Sequence, residues 1–295
     1  MMRCLLCNRS VSLESVMDGL TKPHLRDLLG INKEYVGYCR EERNFAAVLY
    51  HLLLDADRLR SFLSLIGRCE VSVDDVHIYF EYAHLRDIWT EVAAQEKDIK
   101  AKNERYHTAI ASLLRVPANM LPSIDKGDCV EFNAFFTGPR VRAASVKHIQ
   151  MPSRWSDTQF DRWSEKLGRE FAKRACSLKW AFNAKPDLVL HLGGDEAVCI
   201  ECKLESAAGR YQVESDSNPD GRFRANQLDL QKFILRDLLG YDTDFIMISK
   251  KSDWQEGKSG RHWRSYSWQE IYDRLIKDHP PMPGESEFIK EFVER

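Results

Sequence analysis

The spacing of apolar side chains divides the chain into a helical first half and a second half in which helix and strand alternate. From Glu41 to Gly67, Phe45, Leu49, Leu52, Leu59, Leu63 and Ile66 recur at helical intervals and predict a helix. Tyr79 to Leu114 predicts one or two more, with Tyr82, Leu85, Ile88, Val92 and Ile99 on one stripe. The mixed charges from Glu96 to Arg105 read as a solvated face, and Pro117 and Pro122 close the helical stretch. Cys129 to Phe136 reads as a strand, Gly138-Pro139-Arg140 as a turn and Val141 to Ile149 as a second strand. Met151-Pro152-Ser153 is the expected boundary between a mainly α-helical region, 1–150, and a second domain, 151–295.

In that second domain Asp157 to Ser177 predicts an amphipathic helix whose inward face is Phe160, Trp163, Leu167 and Phe171. Glu170 falls within this face, where a carboxylate needs a cation or donors; Arg174 is one partner it could take. Two short strands follow, joined by a turn at Gly193-Gly194-Asp195-Glu196. Leu188, Leu190 and Leu192 alternate with Asp187, Val189 and His191; Val198, Ile200 and Cys202 alternate with Cys199, Glu201 and Lys203. The leucine face is expected to be the buried one. Asp187, Glu201 and Lys203 then share the other face of a hairpin. Glu205 to Arg224 reads as a polar loop. Asn226 to Leu239 predicts a helix closed by Gly240, Asp244 to Ser249 a buried strand and Ser267 to Lys277 a last helix.

Two carboxylates beside an ammonium have an evident chemical use. Hard oxygen donors suit Mg²⁺, and a lysine next to them can stabilise phosphate charge or help to deprotonate a bound water. Composition adds limits. The chain is 43% hydrophobic and 30% charged with a net charge of −2, so it is no polycation and any nucleic-acid surface must be local. The 8 cysteines are scattered in apolar contexts with no signal peptide ahead of them, which predicts reduced thiols and a cytoplasmic location. Cys4-Leu5-Leu6-Cys7 has the spacing that can open a zinc site, but no second pair follows. No apolar run approaches the ~20 residues of a membrane span.

Pro186-Asp187, thirteen intervening residues, then Glu201-Cys202-Lys203 resembles the motif of the PD-(D/E)XK nuclease superfamily. The same tripeptide pattern occurs at Asp98-Ile99-Lys100 and Glu256-Gly257-Lys258, but only the Glu201 copy lies in an apolar strand after a Pro-Asp strand. The resemblance covers the last 140 or so residues. It implies an α/β fold with a restriction-endonuclease-like core, a mixed central sheet flanked by helices in the order αβββαβ. One strand of that order is missing, to be supplied by Val141 to Ile149 or by the stretch after Lys203. It implies Mg²⁺ or Mn²⁺ held by Asp187, Glu201 and the main-chain carbonyl of Cys202, a water assisted by Lys203, and Glu170 as an accessory ligand. Some branches of the superfamily also turn a glutamine of the following helix toward the metal. Gln227 is the first choice and Gln231 the second, with a structural amide network as the alternative for either. The implied activity is hydrolysis of phosphodiester bonds by a nuclease, an endonuclease acting on DNA in restriction, repair or defence, with a homodimer for cutting both strands. A non-catalytic nucleic-acid- or protein-binding module on the same fold is the alternative. The helical region could cover the nuclease, bind a protein partner or contact nucleic acid. Arg210, Arg222 and Arg224 could meet phosphates. Lys250, Lys251, Lys258, Arg261 and Arg264, interleaved with Trp254, His262, Trp263 and Tyr266, suit a nucleic-acid backbone with stacked bases.

Overall fold

A computed structural model describes residues 42–124, 129–138, 147–204, 210–213, 223–250 and 263–277. Cys4, Cys7, Arg222 and the stretch 251–262 lie outside them, as do the side chains of Arg210 and Arg224. The described residues all belong to one compact unit, Glu41–Pro283, so the boundary expected near residue 150 falls inside it. No helix among them is long and apolar enough to cross a membrane.

The architecture is α/β, a five-stranded mixed sheet flanked by helices. In chain order the elements begin with α1 (Glu42–Leu53), α2 (Ala56–Leu65), β1 (His77–Phe80), α3 (His84–Glu91), α4 (Ile99–Leu114) and α5 (Val130–Thr137). They continue with α6 (Phe160–Leu167), α7 (Arg169–Ala181), β2 (Leu188–His191) and β3 (Glu196–Cys202). The last are β4 (Arg210–Val213), β5 (Phe223–Asn226), α8 (Gln227–Lys232, continued by a π-helical turn over Phe233–Leu238), β6 (Asp242–Ser249), β7 (Trp263–Ser267) and α9 (Trp268–Lys277).

The sheet order is β1-β2-β3-β6-β7. β1, β2 and β3 are antiparallel neighbours, and β6 and β7 continue the sheet in parallel with β3. β3 is therefore central, which explains why its residues from Ala197 to Cys202 are all buried. The single buried face expected of the hairpin is thus two buried faces. Val189, Ala197, Cys199, Phe245 and Met247 join the core formed with α3 to α8. The alternate positions Leu188, Leu190, Val198, Ile200, Ile246 and Ile248 are buried too. They are left for the layer of α1, α2 and α9, in which α1 packs on β1 and β3 and α9 on α2.

Several elements differ from expectation, each for a local reason. The helix expected over 41–67 is interrupted at Asp55, whose extended backbone lets its carboxylate accept the Arg58 N–H at 3.0 Å and cap α2. The strand expected over 129–136 is α5. Phe132, Phe135 and Phe136 are buried and stand i, i+3, i+4, which is a helical stripe. The helix expected over 157–177 breaks at Gly168, which has φ +91° and separates α6 from α7. The loop expected over 205–224 carries β4 and β5, a separate antiparallel pair.

Of the two stretches expected to supply a further strand, the one after Lys203 carries strands that pair apart from the five-stranded sheet. Residues 141–146 lie outside the described ones, and Lys147–Gln150 is not a strand. Its main chain is held instead by two buried amides. Asn103 bonds the Lys147 carbonyl and the Ile149 N–H, and Asn133 bonds the His148 carbonyl and the Gln150 N–H. The sheet also has a strand that was not expected, β1, which pairs with β2 across residues 81–187 of the chain, His77 opposite His191. Asp98 of the first stray tripeptide caps α4 by accepting the Ala101 N–H, so that copy is a helix start.

Candidate active site

β2 and β3 bring the acidic pair together by register. Leu188 faces Ile200, which places Asp187, just before β2, opposite Glu201. Asp187 Oδ2 accepts the Cys202 N–H at 2.8 Å. Glu201 is fully buried, and three donors meet its carboxylate. Gln227 Nε2 donates to Oε1 at 2.5 Å, Lys203 Nζ sits 2.6 Å from the same oxygen, and Gln231 Nε2 donates to Oε2. Gln227 and Gln231 are one helical turn apart on α8, which Asn226 caps through the Asp229 N–H. The two glutamines offered as alternatives thus both bind Glu201. The chain of donors runs one step further, from the Cys199 thiol to Gln231 Oε1 at 3.5 Å.

Lys203 is 8% exposed. Its backbone is pinned between layers, its N–H donating to the Ile248 carbonyl at 2.8 Å and its carbonyl accepting the Trp268 indole N–H at 2.9 Å. Its ammonium reaches Glu42 Oε2 at 3.3 Å, and Glu42 Oε1 accepts the Leu204 N–H at 3.0 Å. Glu42, on the first turn of α1, was not among the residues expected here. The signal for it is the spacing 42, 45, 49, 52, an acid at the head of a buried stripe.

Three carboxylates thus surround one ammonium. Burial pushes the Asp187 carboxyl up to about 7, with the charge of Glu201 adding to the rise and the Cys202 N–H opposing it. Burial also raises Glu201, against the pull of Lys203. For Lys203 burial alone would lower the pKa, but Glu201, Glu42 and Asp187 outweigh it and the ammonium is held above its ordinary range.

Glu170 is not brought to this cluster. The break at Gly168 turns it off the inward face, its side chain is 86% exposed and its Oε1 pairs with Lys173 at 2.7 Å. Arg174, the partner that was expected for it, donates to the Leu113 carbonyl and stacks over Phe233. The described part of the basic and aromatic stretch is engaged in the fold: Arg264 bonds Asp244 and the Ile66 carbonyl, Trp263 packs on Phe245, and Tyr266 reaches the Leu65 carbonyl. Lys250 is exposed just beyond β6.

Among the described residues no three His, Cys, Asp or Glu side chains form a group arranged to hold a metal ion. The donor set at the strand ends is two carboxylates, Asp187 and Glu201, which matches a cation that takes one or two carboxylates and keeps several waters, such as Mg²⁺. Compared with protein-family models, with curated proteins and with solved structures, the chain matches none.

Proposed function

We propose that this protein is a metal-dependent nuclease with a restriction-endonuclease-like core, in which α1, β1, β2, β3, α8 and β6 stand for the order αβββαβ. The observation that carries the reading is the buried Glu201–Lys203 pair set against Asp187, whose carboxyl is raised to about 7. A fold gains no stability from burying a carboxylate in that state, and such sites are typical of function. Asp187 and Glu201 would hold Mg²⁺ or Mn²⁺, with the Cys202 carbonyl beside them. The ion would polarise the phosphoryl oxygen and acidify a water.

The chain's own residues have distinct parts. Gln227 and Gln231 fix the plane of the Glu201 carboxylate, and Glu42 holds Lys203 from the opposite layer. Lys203 Nζ, a donor with three protons and a charge that survives burial, orients the attacking water and stabilises charge growing on the phosphate. DNA is the substrate the superfamily favours, an analogy of fold and no more. A dimer would present two such centres to a duplex.

One observation favours a second reading, a binding module without catalysis: two amides and the Lys203 ammonium already satisfy the Glu201 carboxylate. Cleavage of linear, nicked and single-stranded DNA and of RNA with Mg²⁺ or Mn²⁺ separates the two. The nuclease reading expects Lys203→Ala and Glu201→Gln to lose about 100-fold or more of the activity while binding survives. No cleavage of any substrate by the unmodified protein leaves the module.

A further inference from the structure

We propose that Arg43, Glu81 and Lys185 form a clasp on the rim of the acidic cluster, whose two cations take the phosphodiester backbone of a nucleic-acid strand in exchange for Glu81. The proposal rests on the nuclease reading for its ligand. It starts from backbone strain. Glu81, the residue after β1, has φ +50°, a left-handed conformation that a residue with a Cβ adopts at a cost. That turn is held by two main-chain bonds to the strand carrying Asp187: the Glu81 N–H donates to the Asp187 carbonyl and the Tyr82 N–H to the Pro186 carbonyl, each at 2.9 Å.

The turn delivers the Glu81 carboxylate to two cations at once. Lys185 Nζ lies 3.2 Å from Oε2, and the Arg43 guanidinium pairs with Oε1. All three clasp residues are tied by main chain to the cluster. Arg43 follows Glu42, the partner of Lys203; Lys185 precedes Asp187 by two residues; and Glu81 bonds Asp187 itself. The side chains are 70%, 27% and 36% exposed for Arg43, Glu81 and Lys185, so the clasp faces water while the cluster does not.

A polyanion approaching three carboxylates and one ammonium meets repulsion unless further cations stand beside them. Arg43, next to Glu42, and Lys185, two residues before Asp187, are such cations, and a guanidinium grips a phosphate with two parallel hydrogen bonds. Exposed ion pairs hold only about two- to fivefold over solvent, so a phosphate can replace Glu81. In the free protein Glu81 holds both side chains, and in the complex it stands aside.

The test is binding of a fluorescent DNA oligonucleotide, single- and double-stranded, in EDTA so that nothing is cut. Across about 50 to 200 mM salt, Arg43→Ala and Lys185→Ala should each flatten the plot of log Kd against log salt by about 0.9 on duplex or 0.7 on single strands. Lys185→Arg should keep the slope. Glu81→Gln, which frees both cations, should tighten binding about twofold or more at low salt. Unchanged slopes, or a Glu81→Gln variant that binds more weakly, overturn the clasp. A protein that cuts DNA but binds it with slopes indifferent to these changes loses the clasp and keeps the nuclease. Slopes that shift as stated, without cleavage under Mg²⁺ or Mn²⁺, keep the clasp and remove the nuclease. Absence of all binding overturns the clasp.

Discussion

Replacing Asp187 by asparagine should make the metal-free protein more stable at pH 8, and the size of the gain follows from the cluster. The carboxyl has an ordinary value of 3.8 and is raised to about 7 by burial and by Glu201. At about 1.36 kcal/mol for each tenfold change in proton affinity, ionising it inside the fold costs up to about 4 kcal/mol. The sign is opposite to that of a salt-bridged acid. Between pH 4 and 7 the folded chain holds a proton at Asp187 that the unfolded chain has lost, so stability falls as pH rises through this window and is lowest above it. The substituted amide is neutral throughout, and its carbonyl can still accept the Cys202 N–H that Asp187 Oδ2 now takes at 2.8 Å. Denaturant unfolding in EDTA should therefore give matching stabilities near pH 4 and a gap that opens toward pH 8 in favour of Asp187→Asn. Mg²⁺ should narrow the gap by stabilising only the unmodified protein. A variant that is no more stable at pH 8, or two curves that run parallel from pH 4 to pH 8, would refute the account of a carboxylate buried at a cost.

Gln231→Leu removes the donor to Glu201 Oε2 inside the core and should destabilise by about 1–3 kcal/mol in chemical denaturation, more at pH 8 than at pH 5 because the ionised carboxylate needs the bond most. Glu42→Ala should cut Mg²⁺-dependent cleavage about 10-fold or more by releasing Lys203, whereas Glu170→Ala, on an exposed face, should change neither cleavage nor, beyond about 0.5 kcal/mol, the unfolding midpoint. Gly168→Ala should cost about 1–2 kcal/mol in unfolding although nothing crowds the position, because φ +91° is strained for any residue with a Cβ.

The acidic pair was legible because its elements are local. β2, its turn and β3 lie within a few residues of one another, and a period of two in the sequence fixes which residues oppose. α8, β6 and α9 were legible for the same reason. β1 was not. Its four residues have no alternation strong enough to stand out beside helices, and its partner lies more than a hundred residues further along the chain. Glu170 was expected from the resemblance, on the helix ahead of the Asp187 strand; the acid that the structure brings to Lys203 is instead Glu42, on α1 ahead of β1. The glycine at 168 mattered as well, since a continuous helix would have kept Glu170 on the inward face. α5 was misread because a short apolar run rich in aromatics favours a strand by composition, although Phe132, Phe135 and Phe136 already keep helical spacing. β7 was hidden by its charges: Arg264 is polar in sequence, yet it bonds Asp244 and the Ile66 carbonyl and stitches the sheet to α2.

The sheet's first strand has a kinetic meaning. β1 cannot find β2 until residues 81–187 between them have been made, and pairings of such long separation are slow to form. Glu42 and Lys203 stand 161 residues apart in the chain, so their ion pair is a late contact of the same kind, and the cluster around Lys203 is completed only when both ends of that span have folded together.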